Sequence, residues 1–153
     1  MPVHPQIAVR ILPFEKKLAD ALNQLVENGS LAADLKPYQL VSDRHEGLPT
    51  MLCVCQSTRE VVGGASFVMP EYEAQKVIEI LTLYVDQGHR RQGIAESMIR
   101  EIGAYAKQNS IANLYGITDT RFAGASELYS KCGFAVELEG TYMVLRKALT
   151  LSP

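Results

Sequence analysis

The chain has 153 residues, 47% of them hydrophobic, enough for one domain of ordinary size with its own core. Fifteen Lys and Arg against 17 Asp and Glu leave a net charge of −2, so no basic excess drives sequence-independent nucleic-acid binding. No apolar run nears the roughly 20 residues of a membrane span, and "MPVHPQIAVR" lacks the basic start and apolar stretch of a secretory signal, which together predict a cytoplasmic protein.

In chain order, "IAVRILP" reads as a first strand closed by Pro13. "FEKKLADALNQLVENG" spaces Phe14, Leu18, Leu22, Leu25 and Val26 as a helix that Asn28-Gly29 should stop. A short helix is expected before Pro37, and the rest of residues 30–50 is loop-like. "MLCVCQS" and "EVVGGASFVMP" form an antiparallel pair turning at "STRE", and residues 70–75 form a second turn. "KVIEILTLYV" is apolar on both faces, as a doubly covered central strand would be. From Gly93 onward, Ile94, Ala95, Met98, Ile99, Ile102 and Ala106 trace the buried stripe of a helix ending near Asn109. A strand "IANLYGIT", a short helix ending at Gly133, and strands "FAVELE" and "TYMVLRKAL" around Gly140 complete the chain. The order predicts an α/β (α+β) fold: a mixed, mostly antiparallel sheet with helices on both faces, in a single domain spanning 1–153.

Three cysteines (Cys53, Cys55 and Cys132) without an export signal argue against a disulfide framework. Cys53 and Cys55 share a strand face, but His4, His45 and His89 are scattered, so buried inert thiols are expected there and no metal site.

The junction "LTLYVDQGHRRQGIAESMIREI", residues 81–102, carries the functional signal. A helix N-terminus leaves backbone N–H groups without partners and carries partial positive charge. A turn before it with glycines and arginines makes an anion cradle, and phosphate or pyrophosphate is the natural guest. The nucleoside-triphosphate loop needs Gly-Lys-Ser/Thr where Gln92-Gly93-Ile94 stands, and the dinucleotide fingerprint needs more glycines than Gly88 and Gly93. The bland alternative is a solvated basic turn capping a helix.

Arg90-Arg91-Gln92-Gly93-Ile94-Ala95 resembles the Gln/Arg-x-x-Gly-x-Gly/Ala signature of the GNAT superfamily of N-acetyltransferases. "ASELYSKCGF" resembles the family's later helix, with Ala125, Leu128, Tyr129, Gly133 and Phe134 on its pattern, and the element order extends the likeness to most of the chain. The resemblance implies that acetyl-CoA is the cosubstrate. Its pyrophosphate would sit on the N–H groups of Gln92, Gly93, Ile94 and Ala95 with Arg90 and Arg91 nearby. The strand ending at Val85 would splay from "IANLYGIT", and pantetheine would lie in the gap against backbone groups of Leu83 and Val85.

The implied reaction is direct attack of a primary amine on the thioester in a ternary complex. By resemblance the Leu83 N–H polarises the carbonyl, and Tyr129 is the general acid for the departing thiolate. Glu79, eleven positions before Arg90, stands where the family's histone-acetylating branch carries its catalytic glutamate, so the resemblance implies it as candidate base, and it is expected to share a strand face with Leu83. Tyr84, expected on the opposite face, and a water chain are the alternatives. A core tyrosine and a solvated glutamate are the structural readings of Tyr129 and Glu79. Phe122 stands where many members carry a cofactor-binding asparagine, so that contact is expected to be either missing or supplied elsewhere, with Ser126 the candidate, and Lys131 to meet the ribose phosphate.

The acceptor site implied by the family gathers Asp34, Asp43, Glu46, Glu71, Glu73, Glu137 and Glu139, a mildly acidic set suited to an amine. Small-molecule and peptide amines both fit, with neither nucleic acid nor membrane as partner, and sheet edges leave a homodimer open. A non-catalytic acyl-CoA sensor is the competing function.

Overall fold

Among the described residues the most continuous burial falls on the glycine-containing run "VGGASF": Val62 to Phe67 are all buried. A strand buried on both faces lies in the middle of a layered fold. In the computed structural model, which describes residues 7–13, 16–32, 49–55, 60–89, 92–119 and 124–150, this strand is third in a seven-stranded sheet.

The elements are β1 (Ile7–Pro13), α1 (Lys16–Ala32), β2 (Pro49–Cys55), β3 (Glu60–Val68), β4 (Glu71–Tyr72), β5 (Gln75–Lys76), β6 (Ile78–Val85), α2 (Ile94–Gln108), β7 (Asn113–Asp119), α3 (Ala125–Lys131), β8 (Ala135–Glu139) and β9 (Tyr142–Ala148). The main sheet runs β1-β2-β3-β6-β7-β9-β8, and β4 and β5 form a separate hairpin. Every neighbour in the main sheet is antiparallel except β6 and β7, which run parallel. The connection between those two is α2, the crossover that a parallel pair requires.

The helix α2 packs on one face through Ile94, Met98, Ile99, Ile102 and Ala106. These join Ala65 and Phe67 of β3, Ile78 and Ile80 of β6, Leu114 of β7 and Met143 and Leu145 of β9 in one core. Burial of each large apolar side chain there stabilises the fold by about 1.5–3 kcal/mol relative to exposure. Tyr105 adds an edge-on contact to the Phe67 ring, with centroids 5.5 Å apart. The helix stops at a left-handed residue, Ser110 (φ 57°), and Ile111 N–H closes back on the Ala106 carbonyl at 2.8 Å. The helix α3 ends the same way at Gly133 (φ 88°), with Phe134 N–H donating to the Tyr129 carbonyl at 2.9 Å. On the other side of the sheet α1 lies against β3 and buries Leu22, outside the α2 core.

Two local expectations are corrected. The first helix does not stop at Asn28-Gly29 but continues to Ala32. A single glycine costs a helix only about 1 kcal/mol relative to alanine, and the Leu-Ala that follows favours continuation. Residues 70–75 are more than a turn. They build the β4–β5 hairpin, with Glu71 opposite Lys76 and Tyr72 opposite Gln75, and Glu73 and Ala74 at φ 51° and 65°. Of the stretch expected to hold a short helix before Pro37, residues 30–32 form the end of α1 and residues 33–36 lie outside those described.

Candidate functional site

The strands β6 and β7 pair only through Ile78–Leu114, Glu79–Tyr115 and Ile80–Gly116. Both continue past that point, β6 to Val85 and β7 to Asp119. At the same place β6 holds one residue more than its other neighbour: Ser66 pairs with Thr82 and Phe67 with Ile80, so Leu81 is extra. A bulge of this kind bends a strand and increases its twist. Beyond Ile80 the edge of β6 that faced β7 therefore borders a gap. Strand N–H and C=O groups alternate between the two edges, so part of the Leu81–Val85 backbone is presented there. The expected splay is present, and Leu83 and Val85 lie on its β6 side.

The bulge also corrects the assignment of faces. Directly paired residues share a sheet face, and alternation along β3 separates Val68, Ser66 and Gly64 from Phe67, Ala65 and Gly63. Glu79 pairs with Val68 and Tyr84 with Gly64, so these two share a face; Leu83 pairs with Ala65 and Val85 with Gly63, and belong to the other. Regular alternation would have set Glu79 beside Leu83 and opposed both to Tyr84. The extra residue reverses the phase, and Leu83 and Val85 turn toward α2 instead. Glu79 and Leu83 are half-buried, and the Tyr84 hydroxyl is fully withdrawn from solvent.

At the mouth of the gap stands the N-terminus of α2. Gly93 is its N-cap in the left-handed region (φ 76°, ψ 12°), a conformation L side chains avoid. Gly93 itself has no side chain to cap this end, and a helix start leaves its first N–H groups without partners inside the helix. Gln92, Gly93 and Ala95 are half-buried, whereas the Ile94 side chain is in the core, so only its backbone is offered outward. Arg90 and Arg91 lie outside the described residues. The first turn also holds a carboxylate, Glu96, drawn sideways to Arg100 and to Lys131 of α3, each at 3.5 Å. Desolvation pushes the Glu96 carboxyl upward, but the Lys131 ammonium foremost, with Arg100 assisting, holds it below the usual glutamate range.

Beside α2, on the same core, α3 carries Ser126, Tyr129 and Lys131. Ser126 and Lys131 are exposed, and Lys131 is engaged with Glu96. The Tyr129 ring is only 5% exposed and packs edge-on against Phe134, centroids 5.2 Å apart. It is thus a core residue whatever its hydroxyl does. Phe122 lies outside the described residues. Burial first, and then the Glu96 carboxylate, push the Cys132 thiol up.

Sequence reasoning missed one pair in the loop. His89 Nδ1 lies 3.1 Å from Asp86 Oδ2, and His89 N–H donates to the Asp86 carbonyl at 2.9 Å, tying a 3-10 turn over Gln87–His89. Asp86 N–H in turn donates to the Val62 carbonyl at 2.7 Å, anchoring the start of the loop to β3. An Asp and a His three apart were the available signal. The described members of the acidic set are not gathered in one place. Glu137 and Glu139 lie toward the β8–β9 turn at the open end of the gap, Glu71 and Glu73 on the hairpin at the closed end, and Asp34, Asp43 and Glu46 outside the described residues. Among the described residues no cluster of three or more His, Cys, Asp or Glu could hold a metal, and no helix is long and apolar enough to cross a membrane.

This geometry can be set beside known proteins. Residues 19–134 match the family model described as acetyltransferase (GNAT) family. Human N-acetyltransferase 8 is 30% identical over 100 residues, covering 64% of this chain and 44% of that protein. The chain thus spans less than half the length of that relative. A GNAT-family acetyltransferase from Staphylococcus aureus superposes with a TM-score of 0.71 at 16% identity, over 94% of this chain and 100% of that one. Arabidopsis thaliana Naa50, in complex with the bisubstrate analogue CoA-Ac-MVNAL, gives 0.70 at 18% identity over 91% and 97%. With a family model covering most of its length and the splayed parallel pair in place, the chain belongs to the acetyltransferase (GNAT) family.

Proposed function

We propose that this chain is an acetyl-CoA-dependent N-acetyltransferase that moves the acetyl group to a primary amine by direct attack in a ternary complex. The observation that carries the reading is the gap between β6 and β7, opened at Leu81, with the N-terminus of α2, begun by a left-handed Gly93, at its mouth. A pantetheine arm fits there as a surrogate strand against the Leu83 and Val85 backbone. The pyrophosphate would take the N–H groups of Gln92, Gly93, Ile94 and Ala95, with Arg90 and Arg91 adding charge. Ser126 and Lys131 stand on α3 as further contacts, and Lys131 would exchange Glu96 for the ribose phosphate.

In the chemical step the Leu83 N–H polarises the thioester carbonyl and stabilises the oxyanion that forms. The amine nitrogen bonds to the carbonyl carbon, the carbon–sulfur bond breaks, and the thiolate takes a proton. Tyr129 is the proposed donor: a phenol of ordinary pKa about 10 matches the basicity of an alkyl thiolate. The proton lost by the amine goes to Glu79 directly or through water, with Tyr84 on the same face as the second candidate. The acceptor is a small-molecule or peptide amine. The peptide-bearing analogue in Naa50 supports the peptide class, and the absence of a basic excess speaks against nucleic acid.

Burial of the Tyr129 ring gives specific support to the alternative, a non-catalytic acyl-CoA sensor. Calorimetric titration with acetyl-CoA tests the shared part of both readings. Wild type is expected to bind, and Gly93→Glu to lose binding, because a side chain at φ 76° strains the cap and places a like charge at the cradle. No binding to wild type at millimolar ligand overturns both readings. Thiol release in an amine screen then separates enzyme from sensor.

A further inference from the structure

At the closed end of the β6–β7 pair, away from the gap, lies a pocket of about 460 Å³ lined by Tyr72, Val77, Asn113, Leu114, Tyr115, Arg146, Lys147 and Ala148. That volume is within the roughly 300–1,000 Å³ of small-molecule sites. It cannot belong to the acetyl-CoA gap: its β7 residues, Leu114 and Tyr115, are the ones paired to Ile78 and Glu79, before the strands separate.

Two basic residues contribute to its lining, and their charges lie on opposite faces of the sheet. Lys147 Nζ donates to the Cys132 carbonyl at 2.6 Å and lies 5.8 Å from the Phe134 ring centroid, so its charge is committed on the α3 side. Arg146, the next residue on β9, points to the opposite face of the sheet. It is exposed and takes part in none of the ion pairs among the described residues. Its register partner is Tyr115, so a cation and a phenol stand side by side on one face. The far wall is the β4–β5 hairpin, which presents a 54% exposed Tyr72. Val77 N–H donates to the Pro70 carbonyl at 3.0 Å and closes the base of that hairpin, so Tyr72 is held by structured backbone. Glu71 and Glu73 on the same hairpin would repel an anion from that side. A ligand's negative end is thus directed to Arg146, and its apolar body to Tyr72 and Val77.

We infer that this pocket is a second ligand site, for a small organic monocarboxylate with an aromatic or apolar body, distinct from the acetyl-CoA gap and independent of whether acetyl transfer occurs. The guanidinium takes the carboxylate in a two-pronged hydrogen bond. The tyrosine rings cover the body.

The test uses 4-phenylbutyrate as the probe and its uncharged amide as the control, each titrated into the full chain with amide-resolved NMR. Saturable binding of the acid is expected, with shifts around Tyr72, Val77, Tyr115 and Arg146. Arg146→Gln and the amide probe are each expected to weaken it at least tenfold, and Tyr72→Ala about as much. Arg146 is exposed, and an unchanged spectrum elsewhere in the variant confirms folding. Lack of binding at 10-fold above a millimolar concentration overturns the inference. So does equal binding of acid and amide, indifference to Arg146→Gln, or shifts confined to the acetyl-CoA gap.

Discussion

Adding one methyl group to Gly63 should injure both the sheet and the proposed acetyl-CoA site. A Cβ built there falls 2.8 Å from the Tyr84 carbonyl oxygen and 3.2 Å from the Val85 Cα, both backbone atoms of β6. Ordinary contact begins near 3.4 Å, so β6 must retreat by about 0.6 Å, and no side chain can rotate to absorb it. Overpacking of this kind costs about 1–3 kcal/mol, which for a domain of this size lowers Tm by roughly 3–9 °C. The segment displaced is the one that borders the gap, so acetyl-CoA affinity should fall together with stability. Gly103→Ala in α2 is the internal control: nothing lies within 4 Å of its added Cβ. The same substitution there should raise Tm, because alanine favours a helix over glycine by roughly 0.5–1 kcal/mol. Differential scanning calorimetry and acetyl-CoA titration on both variants decide the matter. A Gly63→Ala protein that melts and binds like wild type would refute the reasoning, as would a Gly103→Ala protein that melts lower.

Further outcomes follow from the site and the caps. Tyr129→Phe keeps the packing against Phe134, so acetyl-CoA affinity should hold while turnover falls about 10- to 1000-fold if the hydroxyl supplies general-acid help; an unchanged rate removes it from the mechanism. The Glu96 carboxyl titrates below its ordinary range in the fold, so its ion pairs contribute above about pH 4.3, the unfolded value, and fade as pH falls through the folded one. The stability gap between wild type and Glu96→Gln, measured by denaturant unfolding, should therefore be widest near neutrality and close in acid. A gap independent of pH would contradict the pairing. Ser110→Gly, at a φ of 57°, should stabilise the end of α2 by about 0.5–1 kcal/mol; a lower Tm would count against the left-handed cap.

Much of the molecule was readable from local pattern. The period of Ile94, Met98, Ile99, Ile102 and Ala106 specifies α2 and its buried face, because a helix must turn its apolar stripe inward wherever it docks. Gly93 before that stripe marks the turn into α2, and Gly133 marks the end of α3, because backbone stereochemistry restricts such positions residue by residue. What pattern cannot carry is register. "EILTLYV" shows no sign that Leu81 is extra, since a bulge is defined by what the neighbouring strand offers. That one residue reverses the phase of β6, joins Glu79 to Tyr84 instead of Leu83, and coincides with the point where β7 stops pairing. The Arg146 pocket likewise draws residues from four segments of the chain. Composition, periodicity and the end of α3 thus belonged to the sequence alone, being set by contacts within a few residues, whereas the local stop at Asn28-Gly29 was overridden. The gap, the faces of the candidate base and the second pocket were decided only when distant strands were brought into register.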